Sequence, residues 1–528
     1  MNPFAIGKII EGVMAFVSSV GTFLRYAGYV YMGVSSYQNY KAGKALQRAS
    51  QEILLTKYGT GGGIPVVYGT RRVGGTVVFM ETVNNKELFV VYALAVGEVE
   101  DIGDLRIDNR SIDDTSIFRQ GYTLRKEGNY FGGTVASEND EDIGNVLGGA
   151  GGNNPRMVFN LHHGATDQEA DPMLFHIFDG STSSRPNLWT TDHKLRGIAY
   201  IAANYEFDTQ GMFSGIPNLS ARVKGKKVLD TRTSTTAWSD NPALCLHDYL
   251  TNDEYGKGLP TSAIDTSSFN TAANDCEVSE QTINHGSSVV VRSASTSNDL
   301  VYLDNVVTYN NIKLGASISF SSGGTTYFSG KVIDKYSQIQ QDLGQSYARV
   351  LRLTLAEGSV TTAITSNTTG TLTETQPKFH CNAVVDTGET VLDNTKRLVN
   401  NMRGIFTYTN GQYAIDVEGT ETPILTLDED DILESGIELG LENRENKYNK
   451  VEVTFYNGAK NYEADTVIVT DGLSDDSNEV LETRAEFPYV TNQRIAYNHA
   501  NAILKRSRNN RTISFVATPK VLQAKVGE

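Results

Sequence analysis

Leu88-Phe89-Val90-Val91-Tyr92-Ala93-Leu94-Ala95-Val96 runs for nine residues without a charged or amide side chain. A strand covered on one face alternates apolar and polar residues, whereas a strand covered on both faces is apolar throughout. The stretch therefore reads as a strand buried on both sides, and its β-branched and aromatic content favours strand over helix. Working outward, Ile64–Tyr68, Thr76–Phe79 and Lys194–Phe207 read as further strands. Gly59–Gly63 is a glycine-rich turn. Residues 100–155 are acidic and glycine-rich, with SENDED at 137–142 and GGAGGNN at 148–154, and read as surface excursions between strands.

Asn241–Leu250 reads as a helix. Asn241 can cap it, Pro242 takes the first helical position, and Leu244, Leu246, His247 and Leu250 form an inner stripe. Residues 281–376 are rich in Ser, Thr, Gly and Val and contain no Pro or Cys. Their alternating runs (SSVVVRS, SISFSSGGTTYFSGKVI, ARVLRLTL) are those of a small β-barrel or sandwich. Beyond it, Thr390–Asn401 is helical, Arg403–Val417 is a hairpin turning at Asn410-Gly411, and Asp428–Glu434 is an acidic loop. Lys450–Tyr456 is a strand, Gln493–Lys505 a helix with Ile495, His499, Ala502 and Ile503 on one side, and Thr512–Ala517 a strand. The fold class is mainly β with a few helices (α+β), in several domains.

The chain has 528 residues, 39% of them hydrophobic and 20% charged, enough for packed cores and incompatible with wholesale disorder. Lys plus Arg number 46 against 62 Asp plus Glu, a net charge of −16. That field has the wrong sign for sequence-blind binding to nucleic acid or anionic lipid. Three cysteines cannot form a disulfide framework. Residues 1–50 differ from the rest: Ile9–Tyr37 is apolar and Gly/Ser-rich, interrupted only by Glu11 and Arg25. Its uncharged runs, Gly12–Leu24 and Tyr26–Tyr40, fall short of the roughly 20 residues of a bilayer span. A single Lys8 followed by an acid is a poor signal-peptide front. Ile9, Val13, Phe16, Val20, Phe23 and Leu24 lie on one helical stripe, so a helix packed on its own protein or on a neighbouring subunit is expected; contact with a membrane through residues 9–40 is the alternative.

Catalytic motifs are absent or weak. There is no G-x-x-x-x-G-K-[ST], H-E-x-x-H or G-x-S-x-G. No Lys-Ser/Thr follows the GTGGG of 59–63, so a tight turn is preferred to a phosphate cradle. His162-His163 beside Asp167, Glu169 and Asp171 suggests a metal site, but adjacent residues of a strand point to opposite faces. Glu138–Asp142 and Asp428–Asp431 lack the spacing of a Ca²⁺ loop. Cys245, Cys276 and Cys381 sit in apolar contexts and read as buried thiols. No pair of carboxylates is singled out by an aromatic platform. No catalytic, cofactor-binding or metal-ligating residue is therefore assigned, no cofactor is expected, and the chain is not expected to be an enzyme.

Several segments, taken in order, resemble the central hub of long-tailed bacteriophages, the family of lambda-type tip attachment proteins. They are IPVVYGTRRVGG (64–75), LWTTDHKLRGIAYIAANYEFD (188–208), GIPNLSARVKGKKVLD (215–230) and WSDNPALCLHDYLTNDEYGKGL (238–259). Then come FHCNAVVDTGETVLDNTKRLVNNMRGIFTYTNGQYAI (379–415), ENRENKYNKVEVTFYN (442–457) and NQRIAYNHANAILKRSRNNRTISFVATPK (492–520). The WSDNPA segment is the clearest match.

The resemblance implies barrel-like β-domains assembled as a homotrimeric ring at the distal end of the phage tail, within the virion. It implies as partners a tail-tube-like ring (distal tail) protein, the tape-measure protein, and tail fibres or receptor-binding proteins. DNA would pass through the lumen without being specifically bound. The expected division is an N-terminal helical segment (1–57), a first β-domain (58–240), a second α+β domain (241–280 with 377–425), the inserted β-barrel or sandwich (281–376), and a further β-domain (426–528). Two features depart from the family. The lambda-type protein has only a short connection where residues 281–376 stand, and it continues into fibronectin-like modules where this sequence stops. An adhesin role for the inserted block and a cell-wall hydrolase are the alternatives to a structural hub.

Overall fold

The computed structural model describes residues 56–58, 63–83, 87–112, 123–126, 157–181, 187–206, 216–297, 299–304, 312, 316–342, 345–409, 411–418, 425–441, 447–471, 480–508 and 511–523. The expected N-terminal helix, most of the GTGGG turn, Asn410 and the acidic string Glu138–Asp142 lie outside them. The fold is mainly β with a few helices, as the sequence predicts. The chain divides into two compact units: residues up to Asp230 with Thr235–Ser239 and Asn382–Asn394, and Thr231–Ser234 with Asp240–Cys381 and Thr395–Glu528.

The first unit is built on the strand Glu87–Val96. It lies inside a six-stranded sheet between Thr76–Val83 and Ile198–Glu206, and Met157–His162 pairs with the far side of Ile198–Glu206. Every residue from Leu88 to Ala95 is buried. Alternation then divides the strand between two cores. Leu88, Val90, Tyr92 and Leu94 join Ile201, Ala203, Tyr205, Phe159 and Leu161 against a second sheet. Phe89 and Val91 face the other way, onto Met173, Leu174, Phe178 and Trp189. The second sheet contains Thr70–Gly74, Val99–Ile107, Leu219–Asp230 and Thr235–Trp238.

Three differences from the sequence reading have local causes. The stretch taken as an excursion from residue 100 begins as strand: Ile102, Leu105 and Ile107 are core, and Asp104 between them pairs with the buried Arg72. Lys194–Gly197 is not strand; the strand starts at Ile198, after Leu195 and Gly197 with positive φ. Helix Pro172–Phe178 was not expected, being seven residues long with its capping Asp171 the principal signal.

In the second unit, Pro242–Thr251 is the predicted helix. Asn241 is its N-cap, accepting from the Ala243 amide, and Pro242 opens the first turn. Leu244, Leu246, His247 and Leu250 are buried, but so are Ala243, Cys245 and Tyr249, so the helix is covered nearly all round rather than along one stripe. Asn241 also donates to Ala273 O (2.9 Å) and Glu277 Oε1 (2.8 Å), tying this helix to Thr266–Glu277, a polar helix that the apolar pattern did not announce. Asn241→Ala is expected to destabilise the protein by about 1–2 kcal/mol, because a cap and two bonds to a neighbouring helix go together. A denaturant-midpoint shift at constant m-value checks it.

Strands between Ser279 and Pro377 form one antiparallel sheet that closes on itself. Thr368–Pro377 pairs on one side with Ser279–Asn284 and Val289–Ala294, and on the other with Ser317–Ser322. The circuit is completed through Leu300–Leu303, Gln345–Val360 and Thr325–Asp342. Val291, Leu303, Phe320, Phe328, Leu353 and Leu372 fill its interior. Chain entry and exit are adjacent: the Ser279 and Pro377 positions pair, and Lys378 N donates to Val278 O.

The remainder comprises the hairpin Gly404–Thr409/Gln412–Val417, a three-stranded sheet centred on Lys450–Asn457, and helix Gln493–Arg508. That helix buries Ile495, Ala496, His499, Ala500 and Leu504; Ala502 and Ile503, assigned to the inner side, are only half-buried. The acidic loop ends as a turn at Glu429–Asp431, and a strand, Ile432–Leu441, begins immediately. Its period-2 pattern Ile437-x-Leu439-x-Leu441 was the available signal, obscured by Gly436 and Gly440.

Candidate functional site

The residues with chemical potential in the sequence are distributed to structural tasks. Alternation in Met157–His162 sends Asn160 and His162 to one face. There the Asp171 carboxylate accepts from Asn160 Nδ2 (2.9 Å) and lies 2.8 Å from His162 Nε2 with one oxygen. Its other oxygen accepts from the Leu174 amide, capping helix Pro172–Phe178. The imidazole stacks flat on Tyr200, 4.1 Å between centroids at 6°. Side-chain exposure is 1% for His162 and 0% for Asp171. A His–Asp pair so enclosed has no surface to present to a substrate; it fastens a helix to a strand.

The other members of that sequence cluster are elsewhere. His163 faces the opposite side, 3.9 Å from Asp101. Glu169 is exposed and paired with Lys194 (2.6 Å) and Arg196 (2.7 Å), and the Lys194 hydrogen bond holds its carboxyl below the usual range. Asp167 is exposed. Among the described residues no three His, Cys, Asp or Glu side chains converge as a metal set. Gln168, absent from the sequence reading, is the buried member of this loop: it accepts from Gly164 N (2.8 Å) and donates to Lys194 O (3.0 Å) and Leu195 O (2.9 Å).

Asp428–Asp431 is a turn lock. Asp428 and Asp431 form a reciprocal capping box, and Asp431 binds Lys520 Nζ at 2.5 Å, which holds its carboxyl below the ordinary value. None of the three cysteines is in a disulfide, and all are buried. Burial pushes the Cys276 thiol up, and Cys245 well up, with the neighbouring Cys381 adding to the shift. A thiolate nucleophile needs the reverse environment.

The motif segments are architectural too. In IPVVYGTRRVGG, Val66–Tyr68 pairs with Ala383–Val385, and Thr70–Gly74 pairs with Leu219–Asp230. Gly69, at φ +63, turns one strand into the next, and its carbonyl accepts from Trp238 Nε1 (3.0 Å) and Gly225 N (2.6 Å). The buried Arg72 guanidinium donates to Asp104 O (2.7 Å) and pairs with the Asp104 carboxylate. In WSDNPALCLHDYLTNDEYGKGL, Asn241 caps, Tyr255 OH donates to Asp248 (2.6 Å), and Gly256 passes so close to Tyr249 O that a Cβ would lie 1.8 Å from it. These residues shape turns and caps.

A family model described as putative phage tail protein matches residues 396–528. The chain is 22% identical over 475 residues to the baseplate hub protein pb3 of Escherichia phage T5, covering 86% of this chain and 42% of that protein. It thus spans less than half the length of that curated relative. Among solved structures, a chain of the virion of a native gene transfer agent (GTA) particle aligns over 94% of this chain and 90% of its own, at 13% identity and a TM-score of 0.46. The 43 kDa tail protein of prophage MuSo2 from Shewanella oneidensis aligns over 45% of this chain and 82% of its own, at 11% identity and a TM-score of 0.18. The resemblance to phage tail hub proteins read from the sequence is borne out by the family and hub matches.

Proposed function

We propose that this chain is a structural component of a phage virion: a homotrimeric hub at the distal end of the tail that closes the tail tube and takes part in host attachment and DNA ejection. The observation that carries the reading is the similarity to a baseplate hub protein along 475 residues, in a chain whose His, Asp and Cys groups are engaged in buried packing and caps. A ring of copies accounts for the open strand edges, which a closed assembly covers. Its partners are a tail-tube-like ring protein, the tape-measure protein, and tail fibres or receptor-binding proteins. The chain's net charge of −16 suits a lumen through which DNA slides without being held. It is not an enzyme.

The barrel between Ser279 and Pro377 is a separable insertion in this reading. Its entry and exit are neighbours, so a short linker from Val278 to Lys378 can replace it. Particles carrying that deletion are expected to assemble; if they also lose adsorption, the barrel serves as the adhesin.

Two measurements test the hub. Light scattering on the purified full chain is expected to give about three times the chain mass of 57.7 kDa. A label introduced near residue 300 is expected at the tail end farthest from the capsid in electron micrographs of virions. A label found anywhere else on the particle would remove the assignment.

A further inference from the structure

The segment that leaves the barrel is held by main-chain bonds. Lys378 N donates to Val278 O (2.9 Å), Phe379 N to Cys276 O (3.1 Å) and Cys381 N to Asp240 O (2.6 Å). Asp240 immediately precedes the cap Asn241, so Cys381 is pinned at the start of helix Pro242–Thr251. On that helix the Cys245 amide donates to Asn241 O (3.0 Å), which sets Cys245 one turn beyond Asn241. Helical side chains tilt back toward the N-terminus, so the Cys245 sulfur leans toward the turn beside which Cys381 lies. There the two thiols hydrogen-bond to one another. Both residues belong to the second unit and both are 0% exposed. The third cysteine is placed differently: the Cys276 thiol faces the Met402 thioether, Sγ to Sδ 4.0 Å, and a thioether takes no part in disulfide exchange.

We propose that Cys245 and Cys381 are a latent disulfide, a dithiol when the chain folds in a reducing cell interior and an internal staple once it meets an external disulfide. The chemistry stands apart from the hub reading; only its occasion, release of a particle from the cell, rests on it. The Cys245 sulfur, as thiolate, attacks one sulfur of a small-molecule disulfide, whose S–S bond breaks and releases one thiol. The Cys381 sulfur then attacks the mixed disulfide at Cys245. The Cys245–Cys381 bond forms and the second thiol departs. Two electrons pass from the protein to the external disulfide, and the two protons leave with the departing thiols.

A disulfide holds its sulfurs about 2.05 Å apart, and from hydrogen-bonded thiols that approach takes side-chain rotation rather than movement of either backbone. Burial keeps Cys245 protonated in the folded chain, and Cys381, Asp240 and Asp248 act in the same direction. Exchange therefore starts when the helix start opens locally. Once made, the bond is shut away from reductants by the same burial. Residues 246–380, the whole barrel among them, lie in the loop that it closes, so the bond fastens the barrel's exit to the helix ahead of its entry.

The test uses the full chain, purified in reductant and incubated with oxidised glutathione in urea below the unfolding transition. The protein is then denatured, alkylated and mapped by mass spectrometry. The unaltered chain is expected to lose two of its three alkylatable thiols and to yield one peptide pair joined from Cys245 to Cys381. Cys276→Ala should give the same joined pair, and Cys381→Ala none. The oxidised protein is expected to unfold at a higher urea concentration than the reduced one. Three thiols retained, a link through Cys276 or links between chains overturn the proposal. So does a joined protein that unfolds no later than the reduced one. If Cys381→Ala fails to fold, the peptide map of the unaltered chain decides. None of these results bears on the hub, which light scattering tests separately.

Discussion

Asp171→Ala is expected to lower the unfolding free energy by about 3–5 kcal/mol, measured from the denaturant transition of the full chain. The size follows from what one carboxylate does. Its two oxygens serve three groups: the Asn160 amide, the His162 ring and the Leu174 backbone N–H. All are buried, with Asn160 at 0% and His162 at 1% exposure. Alanine leaves all three in apolar surroundings without that acceptor, and each buried group left unmade costs about 1–3 kcal/mol. The cavity adds to this, while some relaxation of the short helix subtracts. Asp171→Asn gives the discriminating comparison. It retains one acceptor oxygen for the Leu174 amide but turns an NH₂ toward other donors, so it should recover the cap and only part of the loss. A shift below about 1 kcal/mol for the alanine variant would show that the network is not what fastens helix Pro172–Phe178.

The local signals in the sequence were reliable where the chemistry is local. Asn241-Pro242 marks a helix start because cap and proline act within one turn. Leu88–Val96 announces two-sided burial because alternation disappears from its pattern. The roles of His162 and Asp171 were not legible in the same way. They are nine residues apart, and only the helix start between Asp171 and Leu174 aims that carboxylate back at the strand. As a list of residue types, His162, His163, Asp167, Glu169 and Asp171 suggests ligands. Two pleat directions and an exposed Lys194–Glu169–Arg196 cluster disperse it. Nor does the sequence show that Cys245 and Cys381 are neighbours, since their approach depends on how strands and helices pack. The pairing of Ile432–Leu441 with Arg511–Ala517 was half legible: Thr512–Ala517 reads as a strand, but its partner was hidden behind an acidic run and two glycines.

His499 should make the second unit acid-labile well above the pH at which carboxylates protonate. The ring is stacked on Phe487, 4.1 Å between centroids, and lies 5.7 Å from Phe379. Burial is the first cause holding it neutral, and the Arg403 guanidinium is the second. His380 and Arg506 act in the same direction, while the nearby Asn401 backbone opposes them; its pKa is pushed down to about 3 from an ordinary 6.5. The sign follows from where the proton binds. Below about pH 6.5 the unfolded chain takes up a proton that the folded chain refuses until about pH 3, so stability falls with pH across that window. At 1.36 kcal/mol per unit the loss approaches about 4–5 kcal/mol at the acid end, and is about 2–3 kcal/mol by pH 4.5. His499→Leu removes the titration and keeps the site apolar. The stability difference between pH 7 and pH 4.5 should therefore be about 2–3 kcal/mol smaller in that variant, whatever its stability at pH 7. Carboxylates such as Asp465 and Glu482, held low by Asn457 and Lys460 and by Lys450 and Arg484 respectively, add an acid limb of their own, but it is common to both proteins and cancels in the comparison. An imidazole resonance of His499 that titrates near 6.5 in the folded protein would contradict the burial argument directly, since a ring between two phenyl groups cannot accept a charge at no cost.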